Sequence, residues 1–273
     1  MRRALLATKN LRRICGFIDL GDIPSESTFS RAFTEFSTSE LGNRAHDALV
    51  KDYLGGELIG HISRDSIAIV DREKPAKKVQ EPKKPHKRGC PAKGKQREPV
   101  VEKRLDRRVG QSAAEATREL PSRCDRGTKK NAKRHPTSWN GYKLHLDTND
   151  MGLPISAIVT SASVHDSQVT IPLIKLTSNK VTYLYNLMDA AYDAKRIDDT
   201  NREFGHVPII DKNARGKEAI PIALHEAERY KMRSSSERAN QPTERRLWRQ
   251  QRHAEGAQQS NPAIDVWGHL FIR

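Results

Sequence analysis

One basic stretch limits the folds open to this chain more than any other feature of its 273 residues. Residues 72–108 hold 15 Lys or Arg against 5 Asp or Glu, a net charge of +10, together with five prolines and few apolar side chains. Such a segment cannot bury enough apolar surface to offset its conformational entropy. We therefore expect a disordered basic insertion at about residues 72–135, interrupting a folded domain rather than belonging to its core.

The net charge of the whole chain indicates a polyanionic partner. It carries 49 Lys or Arg and 34 Asp or Glu, a formal charge of +15. Neutralising phosphates with such a surplus releases counterions, which favours nucleic acid over a merely soluble basic protein. Only 36% of residues are hydrophobic and 5% aromatic, so the folded core is expected to be small relative to its polar surroundings.

The cysteines and the N-terminus exclude several classes of protein. Cys15, Cys90 and Cys124 form no paired short spacing, which argues against a disulfide framework and a zinc module. Lys and Arg recur within the apolar start of the chain, which is atypical of a signal peptide, and no apolar run approaches the ~20 residues that span a membrane. We expect a cytoplasmic protein without membrane contact.

The first 58 residues are predicted to be a small helical region. A first helix has apolar positions at Phe29, Ala32, Phe33 and Phe36, with three candidate caps before it: Ser25, Ser27 and Thr28. Ser39 can cap a second helix that Gly55 and Gly56 would end. A DNA-binding module and a plain helical cover for the next domain are equally compatible with this pattern.

Residues 59–240 are predicted to form a mixed α/β sheet flanked by helices. A β-branched run covers residues 60–71, and a hairpin pattern begins at Trp139. A helix is expected to open at His165-Asp166-Ser167, followed by a buried strand ending at Asp189. The remaining expected elements are a helix at 191–204, a short strand at 206–211 and a helix at 223–240.

Three carboxylates fit a site for hard cations in such a sheet. Phosphodiester cleavage uses a pair of metal ions held by oxygen ligands, so Asp and Glu suffice without a His or Cys cluster. Asp65 lies inside the first predicted strand, Asp189 at the end of a later one, and Glu237 on a helix. Spacing alone cannot choose them from 34 acidic residues.

The choice comes from a resemblance. The segments HISRDSIAIVDREKP, WNGYKLHLDTNDMGLPISAIVTSASVHDS, LMDAAYDA and RYKMRSSSERAN resemble successive motifs of DDE transposases encoded by bacterial insertion sequences, and PSESTFSRAFTEF resembles the helical region before that domain. The match covers roughly residues 10–240. It implies an RNase H-like fold, two Mg²⁺ or Mn²⁺ ions, cleavage of DNA at transposon ends, and strand transfer into target DNA. It also allows a homodimer on the nucleoid DNA.

Transferred residue by residue, the resemblance assigns the three acids as catalytic, metal-holding carboxylates: Asp65, Asp189 in Met-Asp-Ala-Ala-Tyr, and Glu237. The family's signature of tyrosine, arginine three residues on and glutamate four further is met by Tyr230, Arg233 and Glu237, which implies DNA contacts by Tyr230 and Arg233. The signature's final lysine is missing, since Glu244 occupies its position.

Several neighbouring residues offer alternatives. Asp71 and Asp193 lie close in sequence to Asp65 and Asp189 but outside the motif positions. Tyr230 could equally be a simple helix-face aromatic. His145 and His165 are interpreted as hydrogen-bonded structural histidines, because hard metals prefer oxygen ligands.

The basic insertion contains a further DNA-binding candidate. Its centre, KRGCPAKGK, is similar to the Arg-Gly-Arg-Pro hook that enters minor grooves, but Cys90 replaces the inserted arginine. We keep the weaker expectation of phosphate contacts by a basic arm. The expected contact residues are Lys83, Lys84, Lys87 and Arg88.

Residues 241–273 are predicted to be an irregular tail, out of frame after Asn240. Pro242 would stop the helix that carries Glu237, and no helical apolar period follows. Read one base later, a permitted coding of this stretch restores the family's continuation, with lysine at the position of Glu244. Because tryptophan has a single codon, Trp248 and Trp267 must both become glycine in that frame, at the family's glycine positions.

Two rivals to an active transposase follow. The first is a truncated, catalytically dead copy that only binds DNA, for which the tail is the evidence. The second is an RNase H-like nuclease with another role, which binding to transposon ends would exclude.

Overall fold

The computed structural model describes residues 2–76, 103–130, 135–212 and 221–234. These residues belong to two compact units, one formed by residues 2–49 and one beginning at Val50. Lys83, Lys84, Lys87, Arg88, Glu237 and the predicted tail lie outside the described residues. Within the described ranges, no helix has the length and apolar character needed to cross a membrane.

The N-terminal unit is helical. Its helices are α1 (Arg2–Ala7), α2 (Lys9–Ile14), α3 (Glu26–Thr38) and the first part of α4 (Leu41–Leu54). Of the three candidate caps, Ser25 caps α3, its hydroxyl accepting a hydrogen bond of 3.2 Å from the Thr28 amide. Along α3, Phe29 and Phe33 stack with ring centroids 6.4 Å apart. The predicted small helical region before the sheet is confirmed.

The second unit holds the sheet. Its strands are β1 (Leu58–Val70), β2 (Asp125–Lys130), β3 (Pro136–Asn149), β4 (Pro154–Ser161), β5 (Thr182–Met188) and β6 (Val207–Ile210). Its helices after α4 are α5 (Arg104–Gly110), α6 (Ala113–Arg118), α7 (Ser167–Ser178), α8 (Lys195–Glu203) and α9 (Leu224–Tyr230), with a 3₁₀ turn at Ala190–Tyr192.

The topology is that of an RNase H-like mixed sheet. The strand order is β2-β3-β1-β5-β6, and β4 also pairs with β3. β3 runs antiparallel to β1, whereas β5 is parallel to both β1 and β6. β2 pairs with the first part of β3 and β4 with the rest, both antiparallel. The expected α/β fold class is therefore confirmed.

Three apolar clusters hold this unit together. The end of α4 packs with β1, β4 and β5 through a group of buried residues: Val50, Leu54, Ile59, Ile62, Ile155, Val181 and Tyr183. α7 packs on β4 through a second group: Leu120, Ile158, Val164, Val169 and Leu173. The third group lies at the end of β5 and contains Met188, Tyr192, Ile197 and Ile210.

Residues 103–130 differ from the expectation of a structureless insertion, since they form α5, α6 and β2. Two local sequence features indicate folded structure in this segment, and a count of its charges does not detect them. Ser112 and Glu115 form a capping box at the start of α6, which satisfies backbone donors there. Ala116 and Leu120 are buried, so this basic segment does contribute to the core. Lys175 of α7 also donates to the Arg108 and Val109 carbonyls at 3.0 and 2.8 Å.

Two predicted helices have different bounds. The helix expected at 191–204 begins only at Lys195, because the Asp189 carboxylate accepts a hydrogen bond from the Ala191 amide and stabilises a 3₁₀ turn first. Of the helix expected at 223–240, the structure gives α9 as Leu224–Tyr230 and describes the chain as far as Ser234.

Candidate active site

Two of the predicted carboxylates lie on neighbouring strands. β1 and β5 pair in parallel from Leu58 opposite Thr182 to Ser63 opposite Leu187, with partners always 124 positions apart. The same register, continued by two residues, brings Asp65 opposite Asp189. Residues opposite each other in a sheet point to the same face, so their carboxylates are neighbours at the carboxyl end of β5.

Local hydrogen bonds orient each carboxylate. Asp65 Oδ1 accepts a bond of 2.8 Å from the Ser66 amide, and Asp189 Oδ1 accepts one of 2.9 Å from the Ala191 amide. Both side chains keep part of their surface in solvent, 26% for Asp65 and 38% for Asp189. One oxygen of each group is therefore fixed by the backbone while the carboxylate stays reachable from outside.

Arg233 joins the two carboxylates. Its Nη2 lies 3.8 Å from Asp65 Oδ1 and 3.8 Å from Asp189 Oδ2. The space between the carboxylates thus already attracts a cationic group. Tyr230, half-buried one turn earlier, has its ring centroid 6.0 Å from the guanidinium carbon of Arg233.

The electrostatics of Asp189 indicate that its charge is incompletely compensated. Burial raises the pKa of its carboxyl above the ordinary value, and the nearby Asp65 and Asp166 raise it further. The Ala191 amide and Arg233 lower that pKa without cancelling the effect of burial. An additional cation would stabilise the ionised form.

A buried ion pair lies directly behind this site. Arg64, adjacent to Asp65, donates from Nε and Nη2 to both oxygens of Asp147 at 2.7 and 2.6 Å, and neither side chain is exposed. Thr177 of α7 donates to the same carboxylate at 2.7 Å. Arg64 Nη1 lies 3.8 Å from the sulfur of Met188, the residue before Asp189. The Arg64 side chain therefore connects the strand that carries Asp65 with the residue before Asp189.

A second contact anchors α9 on the sheet. The Arg229 guanidinium lies 4.2 Å from the centroid of the Tyr185 ring, which also stacks with His61 at 5.3 Å. His61 is held in turn by Asp150, with Nδ1 and Oδ1 2.8 Å apart. Arg229 lies in α9 and Arg233 three residues beyond its end, while Tyr185 lies in β5 and Asp189 directly follows that strand. The stack therefore sets where along β5 the helix lies.

Sequence reasoning missed both of these supports. Arg64 and Asp147 carry a weak signal, since each is a charged residue within an apolar strand pattern, but their pairing depends on strand register. The stack on Tyr185 had no signal in the sequence.

The rival residues lie in other surroundings. Asp71 accepts a hydrogen bond from the Glu73 amide at 3.0 Å, and Asp193 pairs with Lys212 at 3.4 Å. His145 is buried, with Nε2 3.0 Å from the Thr160 hydroxyl, and burial lowers its pKa to about 3. His165 Nδ1 lies 2.8 Å from the Ser167 hydroxyl. Both histidines are hydrogen-bonded, as a structural role requires.

Asp65 and Asp189 fit a divalent cation by the chemistry of their donors. They offer hard carboxylate oxygens in register, partly open to solvent, and the raised pKa of Asp189 reflects a charge that a cation would compensate. In the part of the chain that the structure describes, no group of three or more His, Cys, Asp or Glu side chains is arranged to hold a metal. Glu237, the third predicted ligand, lies outside that part.

Comparison with known protein families gives one match, to the transposase DDE domain over residues 108–264. The match spans more than half of the chain and contains Asp189, Tyr230, Arg233 and Glu237, while Asp65 precedes it. It continues past Asn240, where the tail was predicted to leave the frame. No curated protein and no solved structure matches the chain. The chain belongs to the transposase DDE domain family.

Proposed function

We propose that the protein catalyses metal-dependent cleavage of DNA at the ends of an insertion sequence, followed by strand transfer into target DNA. The observation that carries this proposal is the register that brings Asp65 opposite Asp189, with Arg233 3.8 Å from each carboxylate. Paired carboxylates at a sheet edge, next to a cationic side chain, suit the binding of both metal and phosphate.

Asp65, Asp189 and Glu237 are the proposed ligands of two Mg²⁺ or Mn²⁺ ions. Arg229, Arg233 and Glu237 follow each other at intervals of four residues. In a helix continuing along that line, Glu237 would follow Arg233 by one turn on the same side. This spacing supports Glu237 as the third carboxylate.

When bound, the ions would supply Lewis acidity to the attacking and leaving oxygens of a phosphodiester. The protein's own residues do the positioning. The backbone amides of Ser66 and Ala191 orient the two aspartates, and the Arg64–Asp147 pair fixes the strands behind them. Arg233 offers its planar donor fork to a DNA phosphate, and Tyr230 contacts the same strand.

Other parts of the chain would extend the contact with DNA. We propose that Lys83, Lys84, Lys87 and Arg88 contact phosphates as a basic arm, and that the N-terminal helices bind the transposon ends. The positive charge of the arm supports the first proposal, and the five Lys or Arg in α1 and α2, which contain no Asp or Glu, support the second. The proposed assembly is a homodimer on the DNA of the cytoplasmic nucleoid.

The test uses the full chain, a labelled duplex carrying the element's end, and Mg²⁺. Cleavage should disappear in Asp65→Asn, Asp189→Asn and Glu237→Gln, while DNA binding persists. Asp193→Asn is the matched control, because Asp193 lies near Asp189 but pairs with Lys212. Equal cleavage by the control and Asp189→Asn would refute the assignment.

The alternative function is a copy that binds DNA without cutting it. Its support is Glu244, which stands where the family's signature has lysine. The two functions differ in one measurement, since a binding-only copy shifts end DNA in a gel but releases no product at any Mg²⁺ or Mn²⁺ concentration.

A further inference from the structure

The paired strands β2 and β3 extend past the end of β1. The last partners of β1 and β3 are Val70 and Gly141. Beyond them, residues 126–130 pair only with residues 136–140 within the described sheet. We call these two stretches the basic ribbon.

The base of the ribbon is firmly held. Gly141 has a φ of 141°, and a Cβ there would lie 2.1 Å from the Ile69 carbonyl oxygen, so only glycine allows β3 to leave β1 at this point. Asp125, just before the ribbon, accepts a hydrogen bond of 2.8 Å from the Ser163 amide. Trp139 donates from its indole nitrogen to the Tyr142 carbonyl at 3.1 Å. The ribbon therefore projects from a rigid base.

The ribbon is basic, and most of its described side chains are exposed, whereas Gly127 is buried and its partner Trp139 is half-buried. Its two stretches contain three Lys or Arg, namely Arg126, Lys129 and Lys130, and no Asp or Glu. Arg126 and Lys129 are exposed, as are Thr137, Ser138 and Asn140 on the partner strand. An isolated pair of strands buries little apolar surface and is stabilised little by it, so packing into the core does not explain the Lys and Arg residues of the ribbon.

The ribbon extends from the same edge of the sheet at which Asp65 and Asp189 lie. β1 and β5 are parallel, and Asp189 follows the carboxyl end of β5. The ribbon continues from the carboxyl end of β1, so it leaves the sheet at the same edge as the site. At about 3.4 Å per residue, five residues from Asp65 to Val70 and four from Asp125 to Lys129 span roughly 30 Å. That length approaches one turn of duplex DNA, ~34 Å.

We propose that the basic ribbon is a phosphate-binding arm for duplex DNA, contacting the backbone about one helical turn from the phosphodiester held at Asp65 and Asp189. A two-stranded ribbon is narrow enough to enter the major groove, and its positive Lys and Arg side chains complement the negative phosphates along the groove. The position of the DNA relative to the carboxylates rests on the proposed function, whereas the binding itself does not.

The experiment measures the affinity of the full chain for a random-sequence duplex over a series of NaCl concentrations, with EDTA present so that cleavage plays no part. The Arg126→Gln/Lys129→Gln double variant should lower the slope of log affinity against log salt by about 1–2, because each lost phosphate contact removes about 0.9. Lys129→Glu should weaken binding further at every salt concentration.

The matched control is Arg107→Gln/Arg202→Gln, which removes the same charge from exposed positions on α5 and α8, outside both the ribbon and the N-terminal helices. Its slope should equal that of the unaltered chain. An unchanged slope in the ribbon variant would overturn the proposal. So would a loss of self-association in that variant without a change in slope, which would assign the ribbon to a protein partner. Failure of the cleavage test alone would leave the ribbon's role intact.

Discussion

The Arg233 guanidinium lies 3.8 Å from Asp189 and at the same distance from Asp65 across the parallel pair β1–β5. This single cationic side chain bridges two carboxylates that are 124 positions apart. The contact partly compensates two like charges that the fold brings together. Burial still raises the pKa of the Asp189 carboxyl, so the contact with Arg233 does not fully stabilise its ionised form.

The first prediction concerns Asp189→Asn. In the metal-free protein this variant should unfold at a temperature higher by no more than a few degrees, since 38% exposure lets water screen the original charge. In the wild type, burial raises the pKa of the Asp189 carboxyl in the folded state above its value in the unfolded chain. The folded state therefore holds the proton more tightly, and wild-type stability falls as the pH rises through that window. The stability advantage of Asp189→Asn over the wild type should therefore increase as the pH rises from about 3.9, the ordinary pKa of Asp, and then level off. Urea unfolding at several pH values measures it, and a difference that shrinks with rising pH would contradict it.

The second prediction concerns the buried pair behind the site. Asp147→Asn leaves the Arg64 guanidinium without its counter-ion in a fully buried position, so we expect a loss of about 3–5 kcal/mol in the free energy of unfolding. The control is Asp198→Asn, which breaks an exposed pair with Arg202 on α8 and should cost only about 0.3–0.5 kcal/mol. Chemical denaturation compares the two, and equal losses would show that the buried pair is not a main support.

A double variant separates charge from volume. Arg64→Met/Asp147→Leu removes both charges and keeps apolar bulk, so it should be less destabilised than Asp147→Asn. If it is more destabilised, the hydrogen bonds to Thr177 and the Thr170 carbonyl matter more than the unpaired charge.

These supports mark how far the sequence could predict the site. Motif positions identified Asp65 and Asp189, and the strand pattern predicted a sheet. The Arg64–Asp147 pair could not be predicted, because charged residues are rarely fully buried and only strand register brings these two together. α5 and α6 were missed for a different reason, since charge summed over a long interval conceals a short capping box and a buried Leu120.

The third prediction tests whether the stack on Tyr185 sets the position of α9. Arg233, 16% exposed and next to two carboxylates, should react slowly with phenylglyoxal. Tyr185→Leu removes the ring beneath Arg229 and should raise the Arg233 modification rate several-fold, whereas Tyr185→Phe keeps the ring and should not. Peptide mass spectrometry measures each arginine separately.

Arg64, which has no exposed surface, reports in the same experiment whether the protein stays folded. Lys231→Ala is the matched control at the end of α9, since Lys231 directly follows the helix, is exposed and pairs with Glu228. Protection of Arg233 in Tyr185→Leu, with Arg64 unreactive, would show that the stack does not position the helix.

The last prediction concerns the chain after Asn240. If residues 241–273 are out of frame, the segment following Glu237 was never selected to support it, and a carboxylate ligand needs support to within about 0.5 Å of its working position. We expect the chain as given to bind DNA but to cleave transposon ends weakly or not at all. A gene corrected by one base after Asn240 should restore lysine at the position of Glu244, and with it Mg²⁺-dependent cleavage. Changing Glu244→Lys alone, without the corrected frame, is the control for that one charge and should restore less. The family match extends through residue 264 and so includes most of this tail. Robust cleavage by the uncorrected chain would contradict the prediction and show that the present tail supports Glu237 well enough.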